Sequence, residues 1–569
     1  MPLMTYVAYA ARATTSTTTV VVCAYRRPVT QPEPPPEFDT AVLVHDGTES
    51  TLDFRRVGTD DDQIWVAKVA IDLASPRTAL DVVVEGRPVA SATASRLDPT
   101  ADAATLLVGS CFDADGMANI VVDEEVDRLV ADVAADRPIY GLWLGDQVYV
   151  DAPWDKTWGS SDAWKAVVSA YAKTLGLEDH REGSMRSALS VGSNWFLPDD
   201  HELWNNYPGF SPTLLRHAIG RAVPNGLRWL RDRVLRAMGR DVPEEDAHPA
   251  RQGDWGRAGG EGYLAFQSDL TVDTFSRFTS PPGLQVERLG PVTLVLADTR
   301  WSRTVRRSGR FMSTDDLERL TALLRDPATG PVCLAVAAPL VGALPEPKPG
   351  LEVEFGPEHY VEQYLELWKA LNDRARLEPP QPTVIVAGDI HAHSIKSILN
   401  DRVLEIVSSP LSLLRSLQGP RSGPPPVTSA DLAYPRTGLN IAGGWITAFG
   451  RSLWSAPLDA SGPVLLDVGA EGDGELTVTY DAVLQDPPAD LDDEATRARY
   501  RGSFRFDGNR WVPEGEVTET ALPGTFPLDQ VPVPEGEFDN PIRRAITRIV
   551  RSDRVTAIGQ AILRRFGVG

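Results

Sequence analysis

Asp146 and Tyr149 lie in the stretch Ile139 to Asp151, IYGLWLGDQVYVD, and their types and spacing fit a metal site. A carboxylate brings two hard oxygens that can bridge two cations, and a phenol brings an oxygen that a trivalent ion can hold as phenolate. The apolar run Ile139 to Leu144 reads as a buried strand. It delivers Gly145, Asp146 and Tyr149 into the loop beyond its end, where an α/β sheet keeps its chemistry. The plainer alternative for Gly-Asp at a strand end is a turn capped by the aspartate.

Other strand-like runs end in polar clusters of the same kind. Thr105 to Val108 runs into Gly109, Ser110 and Cys111, a thiol that is either a nucleophile, a metal-ligating thiolate or a small buried side chain. Trp195 to Leu197 runs into Pro198, Asp199, Asp200, His201 and Glu202, with Asn205 and Asn206 beyond. Four consecutive ionisable groups repel one another unless a cation offsets them, although Asp199 or Asp200 also suits a helix N-cap. Val292 to Ala297 delivers Asp298, Thr299, Arg300 and Trp301, making Arg300 either a bidentate phosphate ligand or the ion-pair partner of Asp298. Thr383 to Ala387 leads to Gly388, Asp389, His391 and His393, and an extended Asp-x-His-x-His series puts all three side chains on one face. Val403 to Val407 ends in Ser408, Ser409, Pro410 and Leu411.

Six motifs thus occur in order: GSCF at 109–112, LGDQVY at 144–149, DDHE at 199–202, DTRW at 298–301, GDIHAHS at 388–394 and SSPL at 408–411. Together they resemble the PhoD-like alkaline phosphatases, a branch of the calcineurin-like binuclear metallophosphoesterases. The resemblance implies an α/β fold of the metallophosphoesterase type, a β-sheet sandwich flanked by helices and preceded by a small N-terminal β domain. It implies that Asp146 bridges two metals, that Tyr149 and Cys111 bind a ferric ion, and that Asp200, Asp389 and His391 are further ligands. His201 would then stand near the leaving group and Arg300 at the phosphate. Asn205 or Asn206 is a further ligand or stands behind the ligands, and His393 is an imidazole beyond the family pattern, expected behind the ligands rather than as one of them. Fe3+ and Ca2+ are the implied cofactors, with Mn2+, Zn2+ and Mg2+ as other candidates, since an oxygen-rich site suits a hard divalent ion better than zinc. The implied activity is hydrolysis of phosphomonoesters or phosphodiesters by a metal-activated hydroxide attacking phosphorus in line. Two rivals are a non-catalytic protein that binds phosphorylated ligands or envelope polymers, and a metal-independent hydrolase using Cys111 and His201.

The elements that must position these residues follow from the alternation of apolar runs with helical patterns, which predicts βαβ units and a parallel or mixed sheet. Residues 1–101 carry short alternating stretches expected to form a β-sandwich-like domain, and residues 102–485 are expected to form the catalytic domain. Val464 to Val468 and Glu475 to Tyr480 read as strands that complete a second sheet. Residues 486–569 read as a linker rich in Pro, Asp and Glu followed by a basic amphipathic helix over 541–569. That helix would either dock on the acidic body or make peripheral contact with an anionic membrane.

The 569 residues carry a formal charge of -23, which disfavours a nucleic-acid partner, and the resemblance implies a phosphate-ester substrate. Three cysteines are too few for a disulfide framework. With no recognisable export signal and no apolar run of about 18 residues, a cytoplasmic location is expected.

Overall fold

The computed structural model describes residues 4–26, 38, 40–58, 64–114, 122–150, 160–177, 184–203, 254–268, 283–303, 310–340, 357–389, 391, 393–411, 439–441, 444–446, 450–456, 460–470, 475–486 and 495–526. Asn205, Asn206 and the basic segment 541–569 lie outside these residues.

Two mixed sheets pack face to face. At the centre of the first, Ala103–Gly109, Ile139–Leu144 and Ser193–Leu197 run parallel. In the second, Val292–Ala297, Val332–Val336, Thr383–Ala387 and Val403–Val407 run parallel. These strands read as continuous apolar runs because both of their faces are covered. One face of each sheet meets the other through Leu106, Val108, Leu142 and Leu144 against Leu294, Leu296, Val384 and Val386.

The outer face of the first sheet is covered by Val122–Val130, Ser160–Thr174, Arg186–Ser190 and Asp254–Phe266. The outer face of the second is covered by Thr314–Arg325 and Pro357–Arg374. Helix Thr314–Arg325 shows how local sequence fixes these covers. The Ser313 hydroxyl accepts the Asp316 N–H at 3.1 Å, Asp315 and Asp316 lie at the positive end, and Leu317, Leu320 and Leu324 are buried at helical spacing.

The N-terminal region is not walled off from this core. Met4–Ala13 pairs in parallel with Ser193–Leu197, and Thr17–Arg26 and Ile64–Asp72 follow it outward, so the first sheet reaches 12 strands. Alternation divides the strand Met4–Ala13: Val7, Tyr9 and Ala11 face the helices, while Tyr6, Ala8 and Ala10 face a four-stranded sheet made of Thr48–Thr51, Val42–His45, Arg77–Val84 and Arg87–Ser95. The β-sandwich of residues 1–101 therefore borrows the core sheet as one of its two layers.

Two expectations need correction. Val464–Ala470 and Leu476–Asp486 extend the first sheet, beside Ala103–Gly109, and not the second. Residues 495–526 are not a linker: Ala495–Phe506, Trp511–Pro513 and Thr518–Phe526 continue that sheet and bury Tyr500, Phe504, Phe506 and Trp511. Among the described residues no helix is long and apolar enough to cross a membrane.

Candidate metal centre

Strands from both sheets end at one place, and backbone hydrogen bonds tie their ends together. Cys111 N–H donates to Gly145 O at 3.2 Å, Phe112 N–H to Asp146 O at 2.8 Å, Gly388 N–H to Ala337 O at 2.8 Å and Leu411 N–H to Ser110 O at 2.7 Å. Such close approach needs glycine at two positions. A Cβ on Gly388 would lie 2.5 Å from the Ser110 Cβ, and one on Gly145, whose φ is +92°, would lie 2.4 Å from the Asp199 Cβ.

The ends bring seven of the predicted residues together. Asp146, Asp200 and His201 place ligand atoms within 4.8 Å of one another, as do Asp146, Asp199, Asp200 and Asp389. Cys111 Sγ lies 3.7 Å from Asp146 Oδ2 and 3.5 Å from the Asp389 carbonyl. The His201 amide donates to Asp146 Oδ1 at 3.2 Å, and the Tyr149 ring packs on the His201 ring with centroids 4.1 Å apart. The Arg300 guanidinium pairs with Asp199 through Nε and lies 3.4 Å from Asp200 Oδ1. Asp298 is not its ion-pair partner: Asp298 Oδ1 accepts the backbone N–H groups of Arg300 and Trp301 at 2.8 and 2.9 Å.

Asp389 and His391 depart from the extended form expected of them. Asp389 and His391 have φ of 68° and 49°, in the left-handed region, and the next strand begins only at Ser394. Side-chain alternation therefore does not apply, and the three residues part ways. Asp389 joins the carboxylates. The His391 N–H is held by Ser409 Oγ at 3.1 Å, and His393 turns inward with Nε2 3.2 Å from Pro410 O. Burial pulls the His393 pKa down to about 4, so its ring is neutral at ordinary pH.

Burial is also the largest influence on Asp146, and the carboxylates of Asp200, Asp199 and Glu202 add to it, so its pKa is pushed well up against the pull of His201. Buried carboxylates this close need a positive charge among them. The Cys111 thiol is pushed up by burial and by Asp146 and Asp389, which is the reverse of what a cysteine nucleophile requires. A bound cation would reverse both trends. The donor set of carboxylates, an imidazole and a thiol fits hard or borderline cations, with Asp146 and Asp200 common to both ligand groups.

Several participants carried no individual assignment from sequence. Asp199 stands beside Asp200 in the cluster although only Asp200 was expected there. Ser409 donates from Oγ to Cys111 Sγ at 3.1 Å while accepting from His391, and the SSPL motif was its only signal. Glu202 and Gln267 complete the floor of the site, and nothing in the local sequence marks Gln267.

The architecture is a mixed α/β fold, a two-sheet sandwich flanked by helices with an N-terminal sheet region. Among solved structures the chain is similar to one titled "Structure of PhoD", with a TM-score of 0.55, 13% sequence identity, and coverage of 90% of this chain and 92% of that one. At that identity the likeness concerns the fold. No protein-family model and no curated protein matches the chain.

Proposed function

We propose that this protein is a metal-dependent phosphoesterase acting on phosphomonoesters, phosphodiesters or both. The observation that carries this reading is the buried cluster of Asp146, Asp199, Asp200, His201 and Asp389 at the joined strand ends of two sheets, with Cys111 beside it. Asp146, Asp200, Asp389, Cys111, Tyr149 and His391 would hold the cations, and a donor set of carboxylates, a thiolate, a phenolate and an imidazole suits Fe3+ and Ca2+. Bound cations supply charge neutralisation and lower the pKa of a water molecule.

The remaining work falls to the chain's own groups. Arg300, held against Asp199 and Asp200, has a planar fork that matches two phosphoryl oxygens. Its charge, placed in a dry site, stabilises negative charge developing on the phosphoryl group. His201, oriented through its backbone by Asp146 and through its ring by Tyr149, donates a proton to the leaving oxygen.

The test is hydrolysis of a chromogenic monoester and diester by protein stripped of metal and then reloaded. Activity is expected only after reloading, and Asp146→Asn should lower it on the order of 10³-fold, since several kcal/mol of charge stabilisation are lost. Near-normal turnover in Asp146→Asn would sink the assignment. Tight metal binding without turnover of either ester would favour a protein that binds phosphorylated ligands.

A further inference from the structure

The chemistry assigned above uses neither Glu202 nor Gln267, yet both are buried beside it. The Glu202 carboxylate accepts three backbone N–H groups from two strand ends: Asp146 at 3.1 Å, Gln147 at 2.7 Å and Asp199 at 2.9 Å. It therefore joins the loop after Ile139–Leu144 to the loop after Ser193–Leu197, the two loops that supply Asp146, Asp199, Asp200 and His201. Charged acceptors make the stronger hydrogen bonds, and one carboxylate has the lone pairs to serve all three donors.

Gln267 fixes this carboxylate from below. Its Nε2 lies 3.0 Å from Gln147 Oε1 and 3.5 Å from Glu202 Oε1, and its Oε1 accepts from Tyr171 Oη at 2.6 Å. Gln267 sits just past helix Asp254–Phe266, which lies so close to the Glu202 backbone that a Cβ on Gly259 would come within 2.8 Å of Glu202 O. The end of that helix is tied to the N-terminal strands. Lys68 Nζ donates to Leu264 O and, at 2.6 Å, to Ser268 O, and Tyr9 Oη donates to Phe266 O. A lysine at a helix C-terminus satisfies open carbonyls and complements the dipole.

We propose that Glu202 is a positioning residue that clamps the two acidic loops into ligating geometry, and that Lys68 and Tyr9 of the N-terminal strands act on the site through Gln267. This gives the N-terminal region a role in the metal centre and rests on reading that centre as one that binds metal. Glu202→Gln keeps the shape but replaces one acceptor by an NH2 group facing backbone donors. Gln267→Leu removes the orienting amide, and Lys68→Met removes the charge from the helix end while keeping an apolar stem. Val384→Ala, in the core between the sheets, serves as a control for loss of stability alone.

Two quantities would be measured on folded, metal-stripped protein: calorimetric affinity for calcium alone and for zinc alone, and deuterium uptake in peptides covering 139–150 and 193–203. Glu202→Gln is expected to weaken metal binding about tenfold or more and to raise uptake in both peptides. Gln267→Leu and Lys68→Met should weaken it about two- to tenfold. Val384→Ala should lower the melting temperature and leave affinity and uptake in those peptides unchanged. Unaltered affinity and uptake in Glu202→Gln, or an equal loss of affinity in Val384→Ala, would overturn the proposal. If Glu202→Gln does not fold, Gln267→Leu and Lys68→Met decide it by the same readouts. If the unaltered protein binds neither metal, the phosphoesterase reading fails, and deuterium uptake alone settles whether the clamp exists.

Discussion

Replacing Gly145 by alanine imposes two separable penalties at the point where the two sheets meet. The residue has φ of +92°, where an L side chain costs about 1–2 kcal/mol. Its new Cβ would also lie 2.4 Å from the Asp199 Cβ and 3.4 Å from the Ala337 Cβ. Carbon atoms rest about 3.5–4.0 Å apart, so Asp199 must retreat by about 1 Å or more, an overpacking worth about 1–3 kcal/mol. Two other glycines separate the terms. Gly47 has φ of +75° with nothing within 4 Å of its would-be Cβ, so Gly47→Ala carries only the conformational cost. At Gly388 the Cβ would lie 2.5 Å from Ser110 Cβ and 2.9 Å from Leu144 O without a left-handed backbone, so Gly388→Ala carries only the clash. The expected order of destabilisation, about 2–5 kcal/mol for Gly145→Ala and less for either control, is read by thermal unfolding of metal-stripped protein. Because Asp199 holds Arg300 and is itself held by Glu202, Gly145→Ala and Gly388→Ala should also weaken metal binding, while Gly47→Ala should not. A Gly145→Ala protein that melts with Gly47→Ala and binds metal normally would refute the close approach on which this reasoning stands.

Asp298 gives a pH prediction. Burial raises its pKa from 3.8 to about 6 against the two backbone N–H groups it accepts. A carboxyl raised in the folded state favours folding while protonated, so this contribution is complete below about pH 4 and is lost as pH rises through 6. A shift of about two units amounts to about 3 kcal/mol, and Asp298→Asn should remove that fall from the pH–stability curve; an unchanged curve would contradict it. Cys111, neutral in the metal-free protein, should react slowly with iodoacetamide at pH 8, and rapid alkylation that abolished a metal-independent activity would instead support the cysteine hydrolase. Ser409→Ala deletes the acceptor for the His391 amide and the hydroxyl on Cys111, for a loss of about 1–3 kcal/mol and weaker metal binding, both measurable on one titrated sample.

The strands that carry the site were legible because they are buried on both faces: Ile139–Leu144, Val292–Ala297 and Thr383–Ala387 stand out as apolar runs ending in polar clusters. Their partners were less so, since pairing is decided by the fold as a whole. Nothing in Val464–Ala470 says that it lies against Ala103–Gly109, some 360 residues earlier. The strand Ala495–Phe506 was missed although it alternates, with Ala498, Tyr500, Phe504 and Phe506 buried between arginines, because the Pro- and Asp-rich flanks outweighed it. At the site the motifs marked residues that come together, but not all of their neighbours. Asp199 and Asp200 are both within reach of the centre, and the alternation rule failed at Asp389 and His391, where the chain has already left the strand. Gln267 belongs to no motif, and only the packing of Asp254–Phe266 brings it under Glu202.

Backbone strain links these departures to the site's purpose. Of the ten described non-glycine residues with positive φ, four are Cys111, Asp146, Asp389 and His391. Each such conformation costs about 1 kcal/mol or more and persists only where its surroundings over-determine it. Here the surroundings do so in one recurring way, since the amide of each strained residue is gripped by another strand end or the turn beyond it. Cys111 N–H donates to Gly145 O, Asp146 N–H to Glu202 Oε2, Asp389 N–H to Ser110 Oγ at 3.3 Å and His391 N–H to Ser409 Oγ. An unstrained strand would carry these side chains past one another on alternating faces. The left-handed turn at each end breaks the alternation and lets residues from both sheets converge, so the hydrogen bonds between the ends, rather than the strands themselves, set the geometry of the donor cluster.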